Sequence, residues 1–134
     1  MPTAQQILKS EHKRIERELI ELETIMSASI INYPNLIHTL KKLNEFWDKH
    51  EENEDVYFSE LHNKGFTIPI KKIMFEHGKL KKDRDALLKA ISSGSEFKTK
   101  EALKKEGLDL INRIRQHMAD EDWILYALPE DKQL

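Results

Sequence analysis

Apolar residues recur along this chain at spacings of three, four and seven, the period of a helix that buries one face. The first stripe reads Leu8, Ile15, Leu19, Leu22, Met26 and Ile30, and His12 falls on it between Leu8 and Ile15. Just ahead, Thr3-Ala4-Gln5-Gln6 has the form of a capping box, whose hydroxyl and amide satisfy free backbone donors, so a helix is predicted to start there. Asn32-Tyr33-Pro34-Asn35 ends it, because the residue before proline is pushed out of the helical region and Asn suits a cap.

A second helix is predicted from about Pro34 to Asn63, with Leu36 or Ile37, Leu40, Leu43, Trp47, His50, Glu54, Tyr57 and Leu61 inside. Gly65 suits a helix C-terminus and Pro69 the first turn of the next helix. The third helix then runs to Ile91, burying Ile70, Ile73, Met74, His77, Leu80, Leu87 and Ile91. After the connector Ser92-Ser93-Gly94-Ser95, a fourth extends from about Ser95 to Leu128, where Pro129 closes it. Its inner face is expected to hold Phe97, Leu103, Leu108 or Leu110, Ile111, Ile114, His117, Glu121, Leu125 and Leu128. Gly107, within this long pattern, is the expected place for a bend.

Four long amphipathic helices with short links predict an all-α, up-down-up-down antiparallel four-helix bundle occupying residues 1–134 as one domain. Trp47, Trp123, Tyr57, Tyr126 and the methionines are read as packing residues, and the Lys/Glu runs as solvated faces.

Composition narrows the chemistry. The 134 residues include no cysteine, so thiolate metal sites, disulfides and thiol nucleophiles are excluded. The 22 basic and 24 acidic side chains nearly cancel and are interspersed, which leaves no basic face for nucleic acid. No apolar run approaches the roughly 20 residues that cross a bilayer, and Met1-Pro2-Thr3 begins nothing like a signal peptide, so no membrane association is expected and a cytoplasmic location is.

Two stretches repeat one motif: His50-x-x-x-Glu54 and His117-x-x-x-Glu121. Residues at i and i+4 share a helix face, so each copy aims an imidazole and a carboxylate at one spot. In an antiparallel bundle the starts of the first and third helices and the ends of the second and fourth share one end. Counted from there, His12, His50, Glu54, His77, His117 and Glu121 fall within a slab of roughly 9 Å. So many buried polar groups at one level would be costly without a cation. Nitrogen and carboxylate donors without sulfur suit iron or manganese, and the two glutamates could each bridge a pair of ions. Six protein ligands under-fill two six-coordinate ions and leave open positions for oxygen, nitric oxide, peroxide or water. His38 and His62 lie off the level and are read as surface residues.

These residues resemble the hemerythrin-like family, the HHE cation-binding domain: His12 in Ser10-Glu11-His12, His50-x-x-x-Glu54, His77 in Phe75-Glu76-His77, and His117-x-x-x-Glu121 followed by Asp122. The resemblance covers essentially the whole chain. It implies a left-handed bundle with a non-haem di-iron centre, two iron ions bridged by carboxylates and an oxo or hydroxo group, with manganese or zinc as substitutes. Oxygen carriers of the family use a fifth histidine on the third helix, but position 73 is Ile and position 81 is Lys. The four-histidine set is more similar to members linked to iron and oxygen sensing or to repair of iron centres. The implied function is a sensor or sequestration module for O2, NO or peroxide, with a di-iron redox enzyme as the alternative. In oxygen carriers the last carboxylate is an aspartate five positions after the histidine, a match to Asp122. Helical phase favours Glu121, since four residues return to within about 40° of alignment and five miss by about 140°. Lys81, one turn after His77, reaches the rim of the site or is simply solvated.

Overall fold

The computed structural model describes residues 3–128. Helix α1 spans Ala4–Met26, and the capping box forms: Gln6 N donates to Thr3 Oγ1 over 3.2 Å and Thr3 N to Gln6 Oε1 over 2.9 Å. Helix α2 spans Tyr33–Asn63, its first turn held by Asn32 Oδ1, which accepts from Asn35 N at 3.1 Å. Gly65 takes φ +96° just after it, a left-handed conformation that side chains with a Cβ resist. Helix α3 spans Ile70–Ile91, with Pro69 as its N-terminal boundary.

The fourth rod is not one regular helix. Ser95 caps α4, Glu96–Ala102; a π-helical turn follows over Leu103–Gly107; and α5 spans Leu108–Ala127. Gly107, the expected place for a bend, closes this π-helical turn. A Cβ on Gly107 would stand 2.7 Å from Cε of Met26, so α1 ends against bare backbone.

Among the described residues there is no strand and no helix long and apolar enough to cross a membrane. Helix α1 packs on α2, α2 on α3, and α5 closes the bundle against α3 and α1. The core divides in two. The larger apolar cluster joins Ile15, Leu19, Leu40, Leu43, Trp47, Leu80, Leu87, Ile111, Ile114 and neighbours; the smaller joins Leu8, Tyr57, Phe58, Leu61, Ile68, Ile73 and Leu125. On every rod a histidine lies between a residue of one cluster and a residue of the other, so a polar layer separates them.

Several expectations fail at the edges of the stripes. Helix α1 stops at Met26, and Ile30 is 88% exposed. Met74, Phe97 and Leu108 face solvent, while Leu110 is buried. Trp123 and Tyr126 are not packing residues: they are 78% and 77% exposed on α5, about 200° and 140° around the helix from Glu121. The expected closure at Pro129 lies outside the described residues. The core also holds a side chain that the stripes omit, Arg84, which is 0% exposed. Its guanidinium lies 5.7 Å from the Trp47 ring, donates to Asn44 Oδ1 at 3.2 Å and Asp48 Oδ1 at 3.1 Å, and approaches Glu51 at 3.7 Å.

Candidate metal centre

The polar layer collects all six residues expected from the sequence, and all six are buried. Among the described residues, two groups bring their ligand atoms within 4.8 Å of one another: His12, His50, Glu54 and Glu121, and Glu54, His77, His117 and Glu121. Glu54 and Glu121 belong to both. His50 and His117 meet their own-helix glutamates across one turn, at 3.0 and 3.1 Å. His12 Nε2 lies 3.4 Å from Glu54 and 3.3 Å from Glu121, and His77 Nε2 lies 3.3 Å from Glu54 and 3.1 Å from Glu121.

These separations fit a cation. Two donor atoms each about 2.1 Å from one ion and at right angles stand about 3 Å apart. Proteins seldom leave buried polar atoms unsatisfied. Here His12 Nε2, His50 Nε2, His117 Nε2, both Glu54 oxygens and Glu121 Oε1 are buried with no protein hydrogen bond of good geometry. Several such atoms converging on one place form a donor set for a positive ion.

The outer nitrogens are all engaged. His12 Nδ1 lies 2.7 Å from Asp122 Oδ1, His50 Nδ1 2.9 Å from Glu11 Oε1, His77 Nδ1 3.1 Å from Asp55 Oδ1, and His117 Nδ1 2.6 Å from Glu76 Oε2. A carboxylate can only accept, so each Nδ1–H donates and each Nε2 is turned inward. The sequence offered Asp122 only as an alternative carboxylate for the site and gave Glu11, Asp55 and Glu76 no role. The signal was an acid beside a member of the cluster at Glu11, Asp55, Glu76 and Asp122, but spacing along one helix does not reveal a partner on another.

The alternatives left open for α5 separate clearly. Glu121 lies inside both groups, whereas Asp122 is partly exposed and contacts the outer nitrogen of His12. Lys81 points to the surface, 3.4 Å from Asp48. His38 and His62 are exposed, as expected.

Imidazoles and carboxylates in the layer shift one another. Burial disfavours a charged imidazole, yet Asp122, Glu121 and Glu54 outweigh it and hold His12 up at about 11. Burial is likewise overcome at His77, which Glu121 and Glu54 raise to about 10, and at His50 and His117, which are also raised. Burial alone would push the two glutamates up, but the surrounding imidazoles bring Glu54 below its ordinary value and Glu121 well below. A site that draws protons this strongly also draws metal cations, which compete for the same nitrogens.

Two grooves reach the layer beside α5. One, of about 450 Å³, has His12 and Asp122 in its lining with Lys9, Arg115 and Tyr126; the other, of about 200 Å³, has His117 and Glu76.

Compared with models of known protein families, residues 3–128 match the hemerythrin HHE cation binding domain. No curated protein and no solved structure matches the chain.

Proposed function

The chain belongs to the hemerythrin HHE cation-binding domain family, and from that premise we propose that it holds two iron ions in its polar layer and binds a small ligand, O2, NO or peroxide, there. His12 and His50 would hold one ion, His77 and His117 the other, and Glu54 and Glu121 both. The observation that carries this reading is the pair of donor groups that share the two glutamates. A donor set of nitrogen and oxygen without thiolate favours iron over softer metals, with manganese and zinc as substitutes. Iron there would supply open coordination positions and a change of oxidation state. The chain's own residues supply the rest: apolar layers above and below limit water, and the grooves beside α5 admit a ligand of a few atoms. Without the third-helix pair of histidines that oxygen carriers use, sensing or sequestration fits better than oxygen transport.

The test is metal content and an optical spectrum after anaerobic iron loading and exposure to air. About two irons per chain with oxo-bridge charge-transfer absorption are expected, and a folded chain that takes up no iron would overturn the proposal. Stoichiometric ligand binding without turnover supports the sensor. Catalytic consumption of peroxide or nitric oxide, lost in His50→Ala, would instead make the protein an enzyme.

A further inference from the structure

Each inward histidine is held from behind by a carboxylate of a different helix, and the four pairs close into a ring. Glu11 of α1 accepts from His50 of α2, Asp55 of α2 from His77 of α3, Glu76 of α3 from His117 of α5, and Asp122 of α5 from His12 of α1. Every helix that supplies a histidine thus lends one carboxylate forward and receives one from behind.

The sequence positions explain why the acids cross between helices. Glu11 and Glu76 precede His12 and His77, and Asp55 and Asp122 follow Glu54 and Glu121. Adjacent residues on a helix point about 100° apart, so the neighbour of an inward residue points sideways, toward the adjoining helix. All four acids are partly exposed, which spares them the penalty of full burial. Glu11 is further steadied by Asn53, whose Nδ2 donates to its second oxygen at 2.9 Å. A carboxylate behind an imidazole fixes ring orientation and tautomer and makes the inward nitrogen a better donor.

Resting on the two-ion reading above, we propose that Glu11, Asp55, Glu76 and Asp122 are positioning residues, each governing one ion through a histidine on the next helix. Glu11 and Asp122 act on the ion at His50 and His12, and Asp55 and Glu76 on the ion at His77 and His117. The assignment crosses sequence adjacency for Asp55, which neighbours the shared Glu54 and stands five residues after His50, yet serves His77 and the other ion.

The experiment titrates Co(II), a paramagnetic probe that accepts nitrogen and oxygen donors, into the full chain and into Glu11→Gln, Asp55→Asn, Glu76→Gln and Asp122→Asn. Asp120→Asn, next to Glu121 but bonded to Gln116, is the control. Calorimetry reads the affinity of each binding step, and proton NMR of the loaded protein reads the shifted, exchangeable Nδ1–H resonances. Each ring variant should weaken one step by roughly 10- to 100-fold and spare the other. Glu11→Gln and Asp122→Asn should share one affected step and one pair of perturbed resonances, and Asp55→Asn and Glu76→Gln the other.

Ring variants that bind like Asp120→Asn, while the wild type binds two ions, would overturn the ring and leave the metal reading intact. Equal weakening of both steps would overturn the division between ions. A folded wild type that binds no Co(II) and no iron would overturn the metal reading, and the ring with it. Should a variant unfold without metal, Glu→Asp or Asp→Glu at the same position keeps the charge and moves it by one methylene; the same single step must then weaken, by less.

Discussion

His12 is gripped from both sides by adjacent residues of α5: its Nδ1 lies 2.7 Å from Asp122, and its Nε2 lies 3.3 Å from Glu121. Consecutive acids therefore do different work. Glu121 enters the shared centre of the layer, and Asp122 braces one ring from outside. Glu54→Ala and Glu121→Ala should each lower iron content toward one ion per chain or less, because each removes a donor common to both groups. Asp122→Ala should retain most of the iron at saturating metal. Elemental analysis after gel filtration distinguishes them, and equal losses would contradict the division of roles.

Metal should stabilise the fold without being required for it. Two apolar clusters flank the layer, so the metal-free chain should remain helical. One ion at a free concentration about 100 times its Kd adds about 2.7 kcal/mol, and a second ion adds to that. Thermal melts followed by circular dichroism should show Tm rising with added Fe(II) or Co(II) under anaerobic conditions and falling back with a chelator.

The metal-free protein should lose stability on both sides of a mildly acidic optimum. Imidazoles raised from 6.5, to about 11 at His12 and about 10 at His77, stabilise the fold fully below the unfolded value and lose that contribution as pH climbs through the raised ones. Glu54 and Glu121, lowered from 4.5, contribute above that value and lose their contribution as pH falls toward the depressed ones. The maximum is thus expected between 4.5 and 6.5. Urea denaturation with chelator present, repeated from pH 4 to about 10, checks it. A stability that stays level from neutral to alkaline pH would count against protonated imidazoles in the layer.

Asp48 receives two cations of unequal worth. Arg84 is fully buried and also approaches Glu51, a carboxyl that burial pushes up despite nearby His77 and Arg84. Arg84→Ala should destabilise the fold by roughly 3 kcal/mol or more, through a cavity and an uncompensated buried carboxyl. Lys81 is exposed, 3.4 Å from the same Asp48, and Lys81→Ala should change stability by at most about 1 kcal/mol. Chemical denaturation midpoints give both values.

The two tryptophans offer an optical readout. Trp47 is buried with its ring centre 5.6 Å from that of His50 and 6.0 Å from that of His117, and Trp123 is exposed. In Trp123→Phe the remaining emission should be blue-shifted and quenched on binding Co(II). In Trp47→Phe the emission should be red-shifted and quenched far less.

Helix positions, caps and the six inward polar residues were legible in the sequence because they depend on periods of one helix. A residue's place on a 3.6-residue turn follows from counting, which put His12, His50, His77 and His117 on buried faces and favoured Glu121 over Asp122. Counting failed where a stripe ran past its helix, as at Ile30, or where a rod carried more apolar residues than one face could bury, as at Phe97, Trp123 and Tyr126. The period set Arg84 in line with Leu80 and Leu87, but its charge argued for solvent, because a long cation enters a core only where a neighbouring helix brings Asn44, Asp48 and Glu51 to meet it.

The order of residues in the chain thus determined which side chains face inward and at what level, since the helix period and antiparallel packing act on local spacing. The tertiary structure alone decided which side chains touch. Glu11 lies beside His12 in the chain but serves His50, and Asp55 follows Glu54 but serves His77. Those pairings depend on the rotation and offset of one helix against the next, which packing of the whole bundle sets and no single helix encodes.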